Sequence, residues 1–499
     1  MSVQSKSYRR WSLQTGLALV SILILTGCKK SFLEVPPQAQ TPSQEFWKTA
    51  EHATEAMNSI YANLRVWEQV AFAPIAIESM GSDEAEKGSS PADAAFHNLY
   101  DNFTVTATEG QINGFWTGQY RSINLCNQLL GNIDPIPMDA NLKNRYKAEA
   151  KFVRAYNYFR LVRAFGDVPL RLAVPADPSE YNIPRTPKDQ VWAAIEQDLT
   201  DAASVLPQSY GAADIGRATK GAALALHAKV CMYQKKWTDV LNYTNQVMAM
   251  GYSLFPDFEA SFRIPNENNV ESVFEIQCQR IPSISGASNS QYSQVQGVRG
   301  SNGGGWGFNV PTQELVNAFE PNDPRMDATI IFRGETTPQG DAIPLNGDNP
   351  RYNQKSYVPF GLHVAGFSEG CDQNVRVIRF AEVLLMNAEA ANEVGGATNV
   401  TLALNSLNAV RARARGANPI TVLPPVTTTD QSALRNAIWH ERRVELAMEF
   451  DRYFDVIRQG RAGTVFGPKG FQTGKNEVWP IPQNEIDLSG GVLVQNPGY

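Results

Sequence analysis

The 499-residue sequence has no dense run of lysine and arginine, and its formal net charge is −6. It therefore lacks the basic field that nucleic-acid phosphates require. Beyond its extreme N-terminus it has no continuous apolar run, so no internal segment supplies the roughly 20 apolar residues of a spanning helix. Cysteine is scarce. No two of Cys28, Cys126, Cys231, Cys278 and Cys371 stand at a CxxC or other zinc-like spacing. Buried free thiols are the simplest reading of the last four; in an exported protein they could also pair, in a connectivity the sequence leaves open. The five histidines, His52, His97, His227, His363 and His440, never recur at i, i+3 or i, i+4, which rules out an HExxH-type pair. No metal or cofactor is expected. What the chain does have is 43% hydrophobic and only 19% charged residues, too apolar for disorder as its main state.

The N-terminus reads as an address. Lys6, Arg9 and Arg10 precede a mostly apolar stretch from Trp11 to Leu25, about the length of a signal peptide. It closes on Leu25-Thr26-Gly27-Cys28, which resembles the lipobox of bacterial lipoproteins. Residues 1–27 are expected to be removed and Cys28 to carry lipid. Each buried acyl methylene contributes about 0.8 kcal/mol, so several chains hold a protein firmly at a membrane.

Apolar residues at three-to-four spacing predict helices at 41–70, 109–132, 142–165, 187–205, 218–234 and 237–250, and again at 374–394, 400–415 and 428–459. Gly166 and Pro169 predict a clean stop for the third of these. From about residue 281 to 372 the texture is irregular and rich in Gly, Ser, Pro and Asn. Loops of that length are usually functional or disordered. This divides the mature chain, 28–499, into a helical half at 28–250, a loop-rich region at 251–372 and a second helical half at 373–499. The segment 236–252 looks like the second helix of a tetratricopeptide pair, although no 34-residue period recurs.

No catalytic constellation stands out. Gly366-Phe367-Ser368-Glu369-Gly370 fits GxSxG, but no buried strand leads into it and no helix follows at once. The run 303–307 matches neither a dinucleotide fingerprint nor a P-loop and reads as a flexible loop presenting Trp306. Glu441, Glu445 and Glu449 could pair for glycosidic chemistry, but interleaved Arg442, Arg443 and Arg452 point to intrahelical ion pairs. Asp83, Glu84 and Glu86 lack EF-hand spacing and read as a solvated turn. Loop aromatics remain, and an aromatic face stacks on the C–H face of a sugar. The candidates are Phe96, Tyr100, Tyr292, Trp306, Phe308, Tyr352 and Tyr357.

Several segments together resemble the SusD/RagB family of outer-membrane nutrient-binding lipoproteins. The lipobox followed by Ser31-Phe32-Leu33-Glu34-Val35-Pro36-Pro37 is similar to that family's mature start. AEAKFVRAYNYFRLVRAFGDVPL (148–170), GRATKGAALALHAKVCMYQKKW (216–237), NVESVFEIQ (269–277) and NDPRMDATI (322–330) follow in the family's order. So do VIRFAEVLLMNAEAANEVG (377–395), LNAVRARAR (407–415), ERRVELAMEFDRYFDVIRQG (441–460) and the C-terminal VWPIPQNEIDLSGG with QNPGY. One departure is Phe450, where the family usually has Gly. The resemblance implies a mainly α fold, a tetratricopeptide-like α/α superhelix carrying a loop-rich, short-stranded ligand face. It also implies a non-enzymatic outer-membrane lipoprotein that binds an oligosaccharide and passes it to a SusC-like TonB-dependent transporter. Peptide capture on the same scaffold, or a structural transporter lid, are the alternatives. In this reading Trp306 is a stacking platform, Tyr292, Tyr100, Phe96 and Tyr352 are further walls, and Arg299 and Asn302 bond hydroxyls.

Overall fold

The structure is a computed structural model that describes residues 46–279, 290–300, 304–363 and 372–499. The lipidation candidate Cys28 and the signal segment lie outside the described residues, as do Asn302, Cys371 and the run 366–370. Nine helices of twelve or more residues are found among the described residues. They are α1 (Ala50–Asn63), α2 (Gly110–Asn132), α3 (Ala140–Phe165), α4 (Lys188–Val205), α5 (Lys220–Tyr233), α6 (Trp237–Met248), α7 (Phe380–Val394), α8 (Ala397–Arg415) and α9 (Gln431–Glu445). None of the described helices is long and apolar enough to cross a membrane.

Each helix from α2 to α8 packs on the next in the chain, and α9 returns onto α7. An amphipathic pair cannot bury both of its faces alone, so the pairs stack into a superhelix of the tetratricopeptide kind. The axis of the first half is α3. Asp139 caps it by accepting from the Leu142 amide, and Gly166 ends it at φ +72. It is buried nearly all round, and its polar residues are paired inside. Arg154 grips Asp198 at 2.8 Å, while Arg160 holds Glu78 at 2.7 Å and Gln69 at 2.6 Å. One core runs from Ala53 to Leu493, drawing on both helical halves.

The strands are short and pair in twos: β1 (Ala85–Gly88) with β3 (Phe308–Pro311), β2 (Ser272–Ile276) with β6 (Val375–Arg379), and β4 (Ile330–Phe332) with β5 (Arg351–Asn353). All three pairs are antiparallel, and β2–β6 carries a register shift. β3 also lies against β5, so β1, β3, β4 and β5 gather into one face below the loops.

Three helix expectations need correction. The described part of 41–70 is α1 followed by a break and a short turn, Trp67–Val70. The start of 374–394 is β6, whose Val375, Arg376, Ile378 and Arg379 pair with β2 instead of winding into a helix. The segment 428–459 is also broken. After α9, Met448 and Phe450 take left-handed backbone (φ +64 and +69) before a new helix at Arg452–Arg458.

That break also overturns the intrahelical ion pairs. Glu441 accepts from Arg325 at 2.6 Å and Arg411 at 2.7 Å, and Glu445 from Arg325, Arg379 and Arg413. Glu449 accepts from Lys355 at 2.6 Å and Arg379 at 2.8 Å. The carboxylates are buried and bridge separate elements. Asp83 is likewise no solvated turn: Arg452 donates to it at 2.7 and 2.9 Å, and Arg443 lies 2.8 Å away. Cys126, Cys231 and Cys278 are free and buried.

Candidate functional site

Trp306 sits at a meeting of loops that its own glycines make possible. Its amide donates to Gln294 O at 2.8 Å, and the neighbouring amides of Gly305 and Gly307 donate to Val298 O and Gly297 O. A Cβ on Gly305 would lie 2.3 Å from the Gly297 carbonyl carbon. Gly307, at φ +73, would place one 2.6 Å from Asn349 Nδ2. From the other side Ser89 donates to Gly307 O at 2.7 Å, where β1 ends. The backbone of the described part, 304–307, is thus hydrogen-bonded or closely packed on three sides.

Its side chain is half-buried and has aromatic neighbours. The ring centroid lies 5.9 Å from Trp67 and 5.8 Å from Phe72, which are themselves 5.0 Å apart. All three residues are only partly buried. Trp67 is placed by the residue two positions on. Gln69 donates to Gly118 O at 2.9 Å and Asn157 Oδ1 at 3.0 Å and accepts from Arg160, which ties the turn to α2 and α3. Gly118 permits the approach, since a Cβ there would stand 2.7 Å from that of Glu68.

Below the three rings the cluster continues inward. Phe72 meets Phe308 at 4.9 Å and His97 at 4.7 Å, and Phe96 lies over His97 at 4.6 Å, 39% exposed. His97 is buried with neither ring nitrogen hydrogen-bonded. Burial drives its pKa down to about 3, so it is neutral and behaves as one more ring.

A polar row borders the rings. Arg299 donates to Asp93 at 2.7 Å, to Trp306 O at 3.1 Å and to Ser89 Oγ, and its Nε stands 3.7 Å from Asp348. Burial would raise the Asp93 carboxyl, but the Ser89 and Arg299 hydrogen bonds prevail and hold it below the ordinary value. Arg299 occupies the space between the two carboxylates, so the row offers donors and acceptors to neutral hydroxyls. Partly buried aromatic residues with hydrogen-bonding groups at their edge form a surface of the kind a sugar ring stacks on.

The expected residues divide sharply. Trp306, Phe96 and Arg299 reach this surface. Tyr100 does not: it is fully buried, donates to Glu109 and packs on Trp479 at 5.4 Å. Tyr352 is also core, lying under Gly307, and Tyr292 packs inward on Phe450 at 6.0 Å. Phe308 and Tyr357 are buried too. As aromatics facing an open site these five candidates are corrected, because all are buried. Sequence reasoning missed Trp67 and Phe72. Their signal was the break after α1, where Val66 leaves helical conformation and Pro74 follows closely.

A sequence profile of the SusD family matches residues 270–499, and one described as starch-binding associating with outer membrane matches residues 31–232. The SusD-like protein P2 of Formosa agariphila is 30% identical over 96% of this chain and 98% of its own length. A SusD-like protein of Bacteroides ovatus is 25% identical over 96% of this chain and 90% of its own. Among solved structures, a laminarin-binding SusD-like protein is 29% identical, with a TM-score of 0.77 over 91% of this chain and all of that one. The fold is shared with surface glycan-binding protein A of Bacteroides thetaiotaomicron, solved with laminarihexaose, at 24% identity and a TM-score of 0.76 over 90% of this chain and all of that one.

Proposed function

Given that the chain belongs to the SusD family, we propose that it is a glycan receptor of the outer membrane that binds oligosaccharide on the Trp67–Phe72–Trp306 surface. It is anchored through lipid on Cys28, has no catalytic step, and delivers its ligand to a SusC-like TonB-dependent transporter. The observation that carries the proposal is the set of three neighbouring, partly buried aromatic residues bordered by Asp93, Arg299 and Asp348. Partly exposed aromatic side chains gathered in one patch mark an interaction surface, and the glycine geometry holds Trp306 there. Glu441, Glu445 and Glu449, the carboxylates whose spacing suggested glycosidic chemistry, are each paired with guanidinium or ammonium groups. A laminarin-binding relative makes β-glucan oligosaccharides the first ligands to try.

The test is calorimetric titration of laminarihexaose and other oligosaccharides into the purified chain and its Trp306→Ala and Trp67→Ala variants. Each ring contributes about 0.5–1.5 kcal/mol beyond buried area, so each loss is expected to weaken a glycan by about tenfold or more. Binding of peptides and no glycan, or glycan binding untouched by both substitutions, overturns the proposal.

A further inference from the structure

A second site lies away from the loop face, where α4, α5 and α6 meet. His227 and Cys231 are one turn apart on α5, so their side chains leave the same face. Glu196 reaches them from α4, which packs against α5. A nitrogen, a sulfur and a carboxylate oxygen from these three residues lie within 4.8 Å of one another.

Each ligand is held in a way that favours an ion between them. His227 is 2% exposed and makes no hydrogen bond of ordinary length: Nδ1 has no partner, and Nε2 stands 3.8 Å from Glu196 Oε2. Its ring is fixed by Tyr243 of α6, stacked at 4.1 Å and 22°. Cys231 is fully buried and free. Glu196 uses one oxygen outward, Oε1 accepting from Lys236 at 2.6 Å and Gln234 at 2.8 Å, and turns Oε2 toward the imidazole. Those two donors orient the carboxylate as outer partners do around metal ligands.

We propose that Glu196, His227 and Cys231 bind a zinc ion that clasps α4 to α5. A nitrogen, a thiolate and a carboxylate suit zinc, whose bonds of about 2.0–2.3 Å place neighbouring ligand atoms closer than they stand here. Closing that gap takes small movements of side chains carried on two helices that pack together. Water fills the fourth position from the partly exposed Glu196 side, and on binding the Cys231 thiol proton passes to solvent. The spacing escaped the search for histidine pairs because the partner one turn from His227 is a cysteine.

Cobalt(II) reports such a site without any activity assay. The full chain, stripped with chelator, is titrated with Co²⁺ and then Zn²⁺. The expected result is one Co²⁺ per chain with a thiolate-to-cobalt charge-transfer band in the near ultraviolet, bleached by Zn²⁺. The band disappears in Cys231→Ser. Zn²⁺ affinity falls by about tenfold or more in Glu196→Gln, a partly exposed change that keeps the fold, as far-ultraviolet circular dichroism verifies. Absence of the band, its survival in Cys231→Ser through another thiol, or unchanged affinity in Glu196→Gln each overturn the proposal.

Discussion

At the scale of single residues, the ligand surface depends on glycines as much as on rings. Gly307 lies at φ +73 with no room for a Cβ beside Asn349, whose side chain donates to its carbonyl at 2.7 Å. Gly307→Ala is expected to cost about 1–2 kcal/mol for the left-handed backbone alone. It should lower the thermal midpoint and glycan affinity together, although it removes no group that touches ligand. Glu84 is a different residue-scale case. It is buried, with Oε1 accepting from the Met448 amide at 3.1 Å and Oε2 unpartnered. Burial raises its pKa to about 8. A raised carboxyl is no burden below its unfolded value near 4.5. Its cost grows as pH rises from there and is complete above about 8. Glu84→Gln is therefore expected to gain of order 1–3 kcal/mol at pH 9 and much less at pH 5, read from denaturant midpoints. Equal effects at both values would contradict the assignment.

At the scale of elements, much of the fold is legible in the sequence, and the exceptions share a cause. Helices α2 to α6 stand within two or three residues of their apolar periodicity, and Gly166 ends α3 as its sequence predicts. Periodicity failed where polar side chains are buried. The carboxylates from Glu441 on read as members of intrahelical ion pairs, yet they are the inner partners of Arg325, Arg379, Arg411 and Arg413, which come from distant segments. Long-range pairing of this kind leaves no local pattern. Glu445 shows its strength: burial alone would raise its pKa, but Arg413, Arg379 and Arg325 overcome that and hold it at about 2. Its folded value is depressed, so its contribution is fully present above about 4.5 and is lost as pH falls toward 2. Glu445→Gln leaves three guanidinium groups short of an anion and is expected to cost about 3–5 kcal/mol at neutral pH. Equilibrium unfolding at pH 7 and pH 3 checks both magnitude and sign, since the difference between wild type and variant should shrink at the lower pH.

At the scale of the whole molecule, a helical scaffold holds rigid a face made of two-residue contacts between loops. The site was half legible for that reason. Trp306 stood out because four glycines surround it, and Phe96 and Arg299 fell in the same loops. Tyr100, Tyr292 and Tyr352 come from equally loop-like sequence but turn inward, and nothing local distinguishes an aromatic that supports a loop from one that faces solvent. Trp67 was hidden in what reads as the end of a helix, and Phe72 stands just beyond it. More than 200 positions separate them from Trp306 in the chain, and long-range packing, that of Gln69 into α2 and α3 and of Phe72 on Phe308, brings them together. The most direct measurement leaves the protein unmutated: indole N–H resonances of the labelled chain, followed by NMR during titration with laminarihexaose or whichever oligosaccharide binds. The Trp67 and Trp306 signals should shift together and saturate with the binding curve, while buried Trp479 stays in place. Saturable binding that moves other indoles and leaves these two unchanged would contradict the account.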